Sequence, residues 1–492
     1  MDGALYEYLD RYLFNPRSIA VVGASNTPGK WGFGIINRVV DTRDSRAIYA
    51  INNKTPEVAG LKAYKSVRDV PDEVEFAVIA IPFQDVPQVM EDCVARGVRA
   101  ALVISAGMGE SGEEGVEVEH RVLDIARRGN IRFVGPNCMG HFNTAANFYT
   151  TGFVEPMKPG QIGIAAQSGG FTGHILHCGV QAGIGFSKVI STGNEANLHL
   201  EDYIEYFAQD EQTKVIGAYV EGFREGKRFL KLAREVTRKK PLIIMKVGRT
   251  EPGAKAAKGH TGALAGSDVV SGAALKQAGV VRVDDIEELF DTAAALLRQP
   301  LPQGRRIGIL TGGGGHGVIT TDACARLGLE LAQLSPRTLS RLDEVLPPRW
   351  PHQNPVDTVA AGFVTYDCLG PIMEDENVDA VVAVGAVGMS AWWRRRGDLP
   401  LSMPSHIRQE ADKMMDFVEV AEQQQIETAL ARMDKTGKPL IVIGMMMDPE
   451  IMQAAVIQKL TQNGITVYPT PERAAKALSN LCWYSEYLRQ TA

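Results

Sequence analysis

Three times along 492 residues an apolar run ends in small residues and turns into a helical stretch: SIAVV into GASNTPGK from Ser18, QIGIAAQ into SGGFTG from Gln161, and IGILT into GGGGHGV from Ile307. This recurrence restricts the fold more than any other feature. Short apolar runs alternating with helical stretches imply parallel strands buried on both faces, with helices on each side. AIYAI, FAVIAIP, AALVISAG, IRFVGPNCMG, GFSKVIS, VIGAYVEG and PLIIMK continue the pattern between the glycine turns. The expected class is α/β. Linkers rich in Pro and Gly, VEPMKPG from Val154 and LPQGRR from Leu301, divide the chain into 1–153, 154–300 and 301–492. Three domains also suit the length, at roughly 100 to 200 residues each.

A glycine turn that opens a helix presents free N–H groups to an anion. The first one, Gly23, Ala24 and Ser25 running on to Lys30, lacks GxGxxG because Ser25 stands two places after Gly23. An NAD site also wants an acidic residue closing the second strand. AIYAI ends instead in Asn52, Asn53 and Lys54, and a lysine suits a phosphorylated ribose, as in coenzyme A or NADP. An NAD(P)-dependent oxidoreductase is therefore disfavoured. Ile81 and Pro82, Ser105 to Gly107 with Ala106 between, and Asn137 with Cys138 fall at carboxyl ends of strands and are expected to share one crevice with Gly23 to Ser25. Cys138 reads as a buried structural thiol. The second turn, Ser168 to Gly170, is a further anion site. His174 and His177, three residues apart on the helix after it, read as packing residues.

After the strand PLIIMK comes a loop rich in Gly, Ala and Lys that presents His260 between Gly259 and Thr261. A nucleophilic imidazole and an exposed loop histidine without a task both fit these residues. Glu221 closes the neighbouring strand unit, so the two are placed to meet. His316 reads as a turn or interface residue. Trp392 and Trp393 beside Arg394 to Arg396 form either a lid or partner-binding edge or a solvated charge run. A formal charge of −6 without a basic face speaks against nucleic acid. Neither a membrane-length apolar run nor a signal-peptide pattern is present, and six scattered cysteines fit a reduced, cytoplasmic setting. No metal site is expected.

GASNTPGK, IAIP, VISAG, GPNCMG, QSGG, GFSKVISTGNEA, YVEG, KVGRTEPGAKAAKGHTGALAGSD, GGGGHGV, QNPVD and YPTPERA occur in that order. Together they resemble the α-subunit of the nucleoside-diphosphate-forming acyl-CoA synthetases, relatives of succinyl-CoA synthetase that include ADP-forming acetyl-CoA synthetase. The resemblance implies a Rossmann-like CoA-binding domain followed by two flavodoxin-like domains. It implies the reversible reaction of acid, CoA and ATP to acyl-CoA, ADP and phosphate, through an acyl phosphate and a phosphohistidine. His260 matches the phosphorylated histidine and Glu221 the glutamate that orients it. Gln167, Ser168, Gly169 and Gly170, with Thr261 and Gly262, match the phosphate-holding segments. Gly23, Ala24, Ser25, Lys30, Asn52, Lys54, Ile81, Pro82, Ser105, Ala106, Gly107, Asn137 and Cys138 fall in the CoA-cradling stretches. ATP or ADP with Mg2+ is expected on a separate ATP-grasp β-subunit, in a heterotetramer with two of each chain. A CoA-binding regulatory protein without catalysis is the alternative. His316 stands where the family often has proline and Asn197 where it often has an acid, and residues 389–425 follow no family pattern.

Overall fold

A computed structural model describes residues 2–42, 44–152, 154–261, 267–359, 365–385, 404–444, 455–462 and 465–491; the side chains of 257–261, 365–366, 411, 415, 422–423, 425–426, 455–456 and 462 lie outside the description. The chain forms two compact units, Met1–Leu289 and Phe290–Ala492. No described helix is long and apolar enough to cross a membrane.

The first unit holds two sheets. One contains β1 (Ser18–Val22), β2 (Ala47–Ile51), β3 (Glu57–Val58), β4 (Leu61–Tyr64), β5 (Phe76–Ile79), β6 (Ala100–Val103) and β7 (Arg132–Val134), in the order β3-β4-β2-β1-β5-β6-β7. Every pairing is parallel except β3 with β4. β1, β5 and β6 are buried along their whole length, as continuous Val, Ile and Ala runs covered on both faces require.

The other sheet contains β8 (His141–Asn143), β9 (Phe148–Tyr149), β10 (Pro159–Ala166), β11 (Phe186–Ser191), β12 (Val215–Val220), β13 (Leu242–Lys246) and β14 (Val281–Val283). Their order is β14-β13-β12-β10-β11-β8-β9. The parallel core matches the expected class, but the edge is a hairpin: β8 runs antiparallel to β11, and β9 antiparallel to β8. Residues 141–149 thus pair into the second sheet ahead of the linker at Val154. His141 anchors them. Its fully buried ring packs against Phe14, Phe76 and Phe148, and its Nε2 is 2.8 Å from the Leu13 carbonyl. Burial lowers its pKa to about 4, so the ring is a neutral part of the core at physiological pH.

The second unit carries β15 (Arg306–Thr311), β16 (Glu330–Leu331), β17 (Val356–Asp357), β18 (Ala380–Val384), β19 (Leu440–Ile443) and β20 (Val467–Tyr468). The order is β16-β15-β18-β19-β20 with β17 also on β15, all parallel. The QNPVD motif is structural here. The Asn354 side chain donates to the Ile307 and Ala332 carbonyls and accepts the Ile309 N–H, stitching its loop to β15. His316 is exposed in the first turn of the Gly314–Arg326 helix, where its carbonyl accepts the Thr320 hydroxyl. Part of the stretch 389–425 belongs to the helix Ser405–Thr436. Trp392 to Arg396 lie outside the described residues.

One expectation is overturned. The stretch after β13 is not a loop: Glu251–Thr261 is a helix, with His260 in its last turn. Glu and Pro in the first turn favour a helix start, and Ala and Lys are strong helix formers. The glycines at 253 and 259 conceal this signal when composition alone is read.

Candidate active site

A cavity of about 760 Å³ opens in the first unit at the carboxyl ends of both sheets. On one side Gly23, Gly29, Lys30, Trp31 and Gly32 bring the first glycine turn and its helix, Trp31–Asp41. Ala80 to Pro82, Ile104 to Ala106 and Asn137 to Met139 follow β5, β6 and β7. On the other side Gln167, Ser168, Gly169 and Gly170 bring the turn after β10, and Gly193 and Asn194 the turn after β11. The crevice expected in the first domain and the anion turn expected in the second are therefore one space.

Several expected residues stand off this lining. Ala24 and Ser25 are buried, and the Ser25 hydroxyl accepts the Thr27 N–H at 3.0 Å. Asn52 donates to the Ala24 carbonyl and accepts from the Lys54 and Thr55 N–H groups, so its amide shapes the turn, while Lys54 is exposed. The Gly107 N–H is taken by Glu110 Oε1 at 2.6 Å. Cys138 both lines the cavity and packs inward. Its thiol donates to the Val103 carbonyl at 3.3 Å, and burial pushes its pKa up to about 12, which keeps it protonated. His174 and His177 contact only Cys178 and Gln181, one turn ahead on their own helix, among the polar partners described.

The phosphate turn is tied to Glu221 by two routes. Ser168 caps the Gly169–Gln181 helix, its hydroxyl accepting the Phe171 N–H at 3.3 Å, and so leaves the first N–H groups of the helix facing the cavity. Gln167 Oε1 accepts the Glu221 and Gly222 N–H groups at 2.6 and 3.1 Å, and its Nε2 donates to the Gly222 carbonyl at 2.8 Å. The second route is aromatic. Phe171 packs on Tyr219 with ring centroids 4.6 Å apart, and the Tyr219 phenol is held protonated, its pKa pushed up to about 12 by burial and by its hydrogen bond to Glu221. Glu221 itself is buried, and the Lys246 ammonium holds its carbonyl at 2.8 Å. Burial lowers the Lys246 pKa, but its other acceptor is also a carbonyl, that of Val247.

β12 and β13 are neighbours, with Val220 opposite Lys246, so Glu221 and the segment leading to His260 leave the sheet side by side. Nine residues at about 1.5 Å rise carry the His260 backbone roughly 14 Å along its helix. The side chains of His260 and Thr261, and Gly262 entirely, lie outside the described residues. Among the described residues no cluster of His, Cys, Asp or Glu can hold a metal ion.

Sequence reading missed Tyr219, Lys246, Trp31, Met139 and the pair Gly193 and Asn194. Tyr219 was within reach, since positions 219 and 221 share one face of a strand. Lys246 was hidden because a lysine at a strand's end normally reads as solvated. Asn194 gains its place only through tertiary contacts, donating to Glu110 on the loop after β6 and to Glu119 on the following helix, Glu113–Arg128.

Comparison with known proteins agrees with this division of labour. A CoA binding domain model matches residues 17–144, and a succinyl-CoA ligase like flavodoxin domain model matches 159–296. The acetate–CoA ligase (ADP-forming) I subunit alpha of Pyrococcus furiosus is 38% identical over 483 residues, 96% of this chain and 97% of that one. The II subunit alpha of the same organism is 42% identical over 378 residues, 76% of this chain and 82% of that one. The acetate–CoA ligase (ADP-forming) of Methanocaldococcus jannaschii is 43% identical over 354 residues, 72% of this chain, and there the match spans about half (49%) of the relative. Among solved structures, the dinucleotide forming acetyl-coenzyme A synthetase 1 of Ca. Korarchaeum cryptofilum, in complex with phosphate and ADP, superposes with a TM-score of 0.82 at 31% identity over 98% of both chains. With both family models meeting at one cavity and a relative matched along nearly its whole length, the chain belongs to the α-subunits of the ADP-forming acyl-CoA synthetases, acid–thiol ligases related to succinyl-CoA synthetase.

Proposed function

We propose that this chain is the phosphate-relaying subunit of an acid:CoA ligase that converts acid, CoA and ATP reversibly to acyl-CoA, ADP and phosphate. The observation that carries this reading is the single cavity joining the Lys30 turn to the Ser168 helix start, because acyl transfer needs the CoA thiol and a phosphate in one space. A His260 ring nitrogen accepts the phosphoryl group of ATP, and ADP leaves. The substrate carboxylate then attacks that phosphorus, giving an acyl phosphate and restoring the imidazole. The CoA thiol, losing its proton, attacks the acyl carbonyl, and inorganic phosphate departs. The N–H groups at Gly169 and Gly170 are fixed in place and hold the anionic phosphate without reorganisation. Glu221 accepts the N–H of the second ring nitrogen and so selects which nitrogen attacks. The nucleotide and its magnesium are assigned to a separate ATP-grasp chain, with two of each chain in the assembly, and a cytoplasmic setting accompanies the reading.

Glu221→Gln keeps the shape and removes the charge. Incubated with the ATP-grasp subunit and labelled ATP, this variant is expected to yield at least about tenfold less acid-labile phosphoenzyme. CoA binding, measured calorimetrically on the chain, is expected to stay within about twofold. A variant that loses CoA binding refutes the role given to Glu221. Gly170 offers a complementary test, because a Cβ there meets nothing within 4 Å. Gly170→Ala is expected to leave the melting temperature unchanged or slightly raised, helix propensity favouring alanine by about 1 kcal/mol at most. Its methyl group enters the phosphate end of the cavity, so acyl-CoA formation is expected to fall about tenfold. Full activity would remove the phosphate from this turn.

A further inference from the structure

The turn after β11 holds a carboxyl group that the ligase steps leave unused. Its backbone is clamped from several sides: the Thr192 N–H donates to the Ala166 carbonyl at 2.8 Å, the Asn194 N–H to Pro136 at 2.9 Å, and the Ala196 N–H to Gly135 at 3.1 Å. The Arg224 guanidinium adds a bond to the Asn194 carbonyl at 2.7 Å. Gly193 and Asn194 line the cavity, and next to them Glu195 adopts a left-handed φ of 57°. Glycine or asparagine takes that conformation more readily, so the backbone does not explain a glutamate here. The side chain must.

That side chain is only 3% exposed. Oε1 accepts the Thr192 hydroxyl at 2.8 Å, whereas Oε2 has no hydrogen-bond partner. Two or more further donors are what a buried carboxylate needs, and a neutral carboxyl needs far less. Burial accordingly pushes its pKa up to about 8, against the smaller opposing pull of Thr192 and Gln167. Of the charged groups facing it, Glu201 raises the pKa and Arg224 lowers it, while Glu201 and Tyr203 are themselves pushed up by burial.

Gln167 links this group to the site. Its Oε1 is occupied by the Glu221 and Gly222 N–H groups and one Nε2 hydrogen by the Gly222 carbonyl. The second Nε2 hydrogen is the one available to Glu195. We propose that Glu195 is a positioning residue for acyl transfer, its neutral carboxyl standing beside the Gln167 amide and thereby keeping the Ser168 turn fixed against the Glu221 backbone. This role rests on the ligase reading. Ionised, the same carboxyl becomes a buried charge short of donors that draws the Gln167 Nε2 hydrogens away from the Gly222 carbonyl, and the arrangement loosens.

The sign follows from proton binding. Between the ordinary glutamate value near 4.5 and about 8, the folded chain keeps a proton that the unfolded chain has lost. Glu195 therefore lowers stability as pH rises across that window, and its full contribution is present only below it. Glu195→Gln removes the dependence while keeping a neutral, isosteric group.

The test is the pH profile of kcat for the two-chain enzyme, from about pH 6 to about pH 9.5, in wild type, Glu195→Gln and Glu195→Ala. Wild type is expected to decline above about pH 8, and Glu195→Gln to keep its neutral-pH kcat within about threefold and lose the decline. Glu195→Ala is expected to lose at least about tenfold in kcat at every pH, with the KM for CoA within about twofold. An alkaline decline unchanged in Glu195→Gln, or a wild-type kcat in Glu195→Ala, overturns the proposal. Should Glu195→Ala fail to fold, melting of wild type and Glu195→Gln at about pH 5.5 and about pH 8.5 decides instead. A relative gain by Glu195→Gln at the higher pH supports the proposal, and an equal difference at both overturns it. A wild-type chain that takes no label from ATP with an active partner marks failure of the ligase reading; a labelled chain whose pH profile ignores Glu195→Gln marks failure of the Glu195 role alone.

Discussion

His260→Asn is expected to abolish acyl-CoA formation, a loss of at least about 10³-fold in kcat, and to leave no acid-labile phosphate on the chain. Asparagine keeps a polar side chain and has a helix propensity close to that of histidine, so the last turn of the Glu251–Thr261 helix should survive the exchange. What disappears is the basic ring nitrogen, and an amide nitrogen has no lone pair to offer phosphorus. CoA affinity is expected to be unchanged, because the Lys30 turn and the strand ends that line the cavity do not involve residue 260. The measurement is labelled ATP with the ATP-grasp subunit, followed by an acid quench and a CoA titration of the same preparation. Label that persists on His260→Asn moves the phosphoryl acceptor elsewhere.

How much of this was legible in the sequence depended on whether a local rule or a tertiary contact decided the matter. The buried strands were legible because a sheet covered on both faces needs nearly uninterrupted apolar residues, as β1, β5 and β6 show. The Ser168 turn was legible because serine is a favoured cap where a helix opens after a strand, and Ser168 does cap its helix. The edge hairpin was not. His141–Asn143 and Phe148–Tyr149 belong to the second sheet, where a neutral histidine is enclosed by Phe148 of the same hairpin and by Phe14 and Phe76 from far along the chain, and no spacing rule announces that. Helix for the stretch before His260 was obscured by two glycines that alanines and lysines outweigh. Asn52 shows the same limit of local reading. A polar group at a strand's end is read as facing a ligand, yet Asn52 spends its amide on the backbone of its own turn and of Ala24.

Gly32→Ala is expected to weaken CoA binding by at least about tenfold and to destabilise the fold by about 1 to 3 kcal/mol. A Cβ at position 32 would stand 1.8 Å from the Gly23 carbonyl oxygen and 2.7 Å from its carbon. Both are backbone atoms, so no side-chain rotation relieves the clash. Gly23 cannot retreat, since its own φ is +87° and a Cβ there would come 2.3 Å from the Ala80 carbonyl oxygen. The Trp31–Asp41 helix therefore has to lift from β1, carrying with it Lys30 and Trp31 and the N–H groups that face the cavity. Gly60 supplies the control, away from the cavity lining. It also has a positive φ, +72°, but its Cβ would meet nothing within 4 Å, so Gly60→Ala imposes backbone strain of about 1 kcal/mol without moving the helix. CoA calorimetry and thermal melting of the two variants separate the effects: both are expected to melt earlier, and only Gly32→Ala to lose affinity at temperatures where the chain is folded. Equal affinity in the two would mean that the helix can shift without disturbing CoA, and that the close approach of Gly32 to Gly23 serves packing alone.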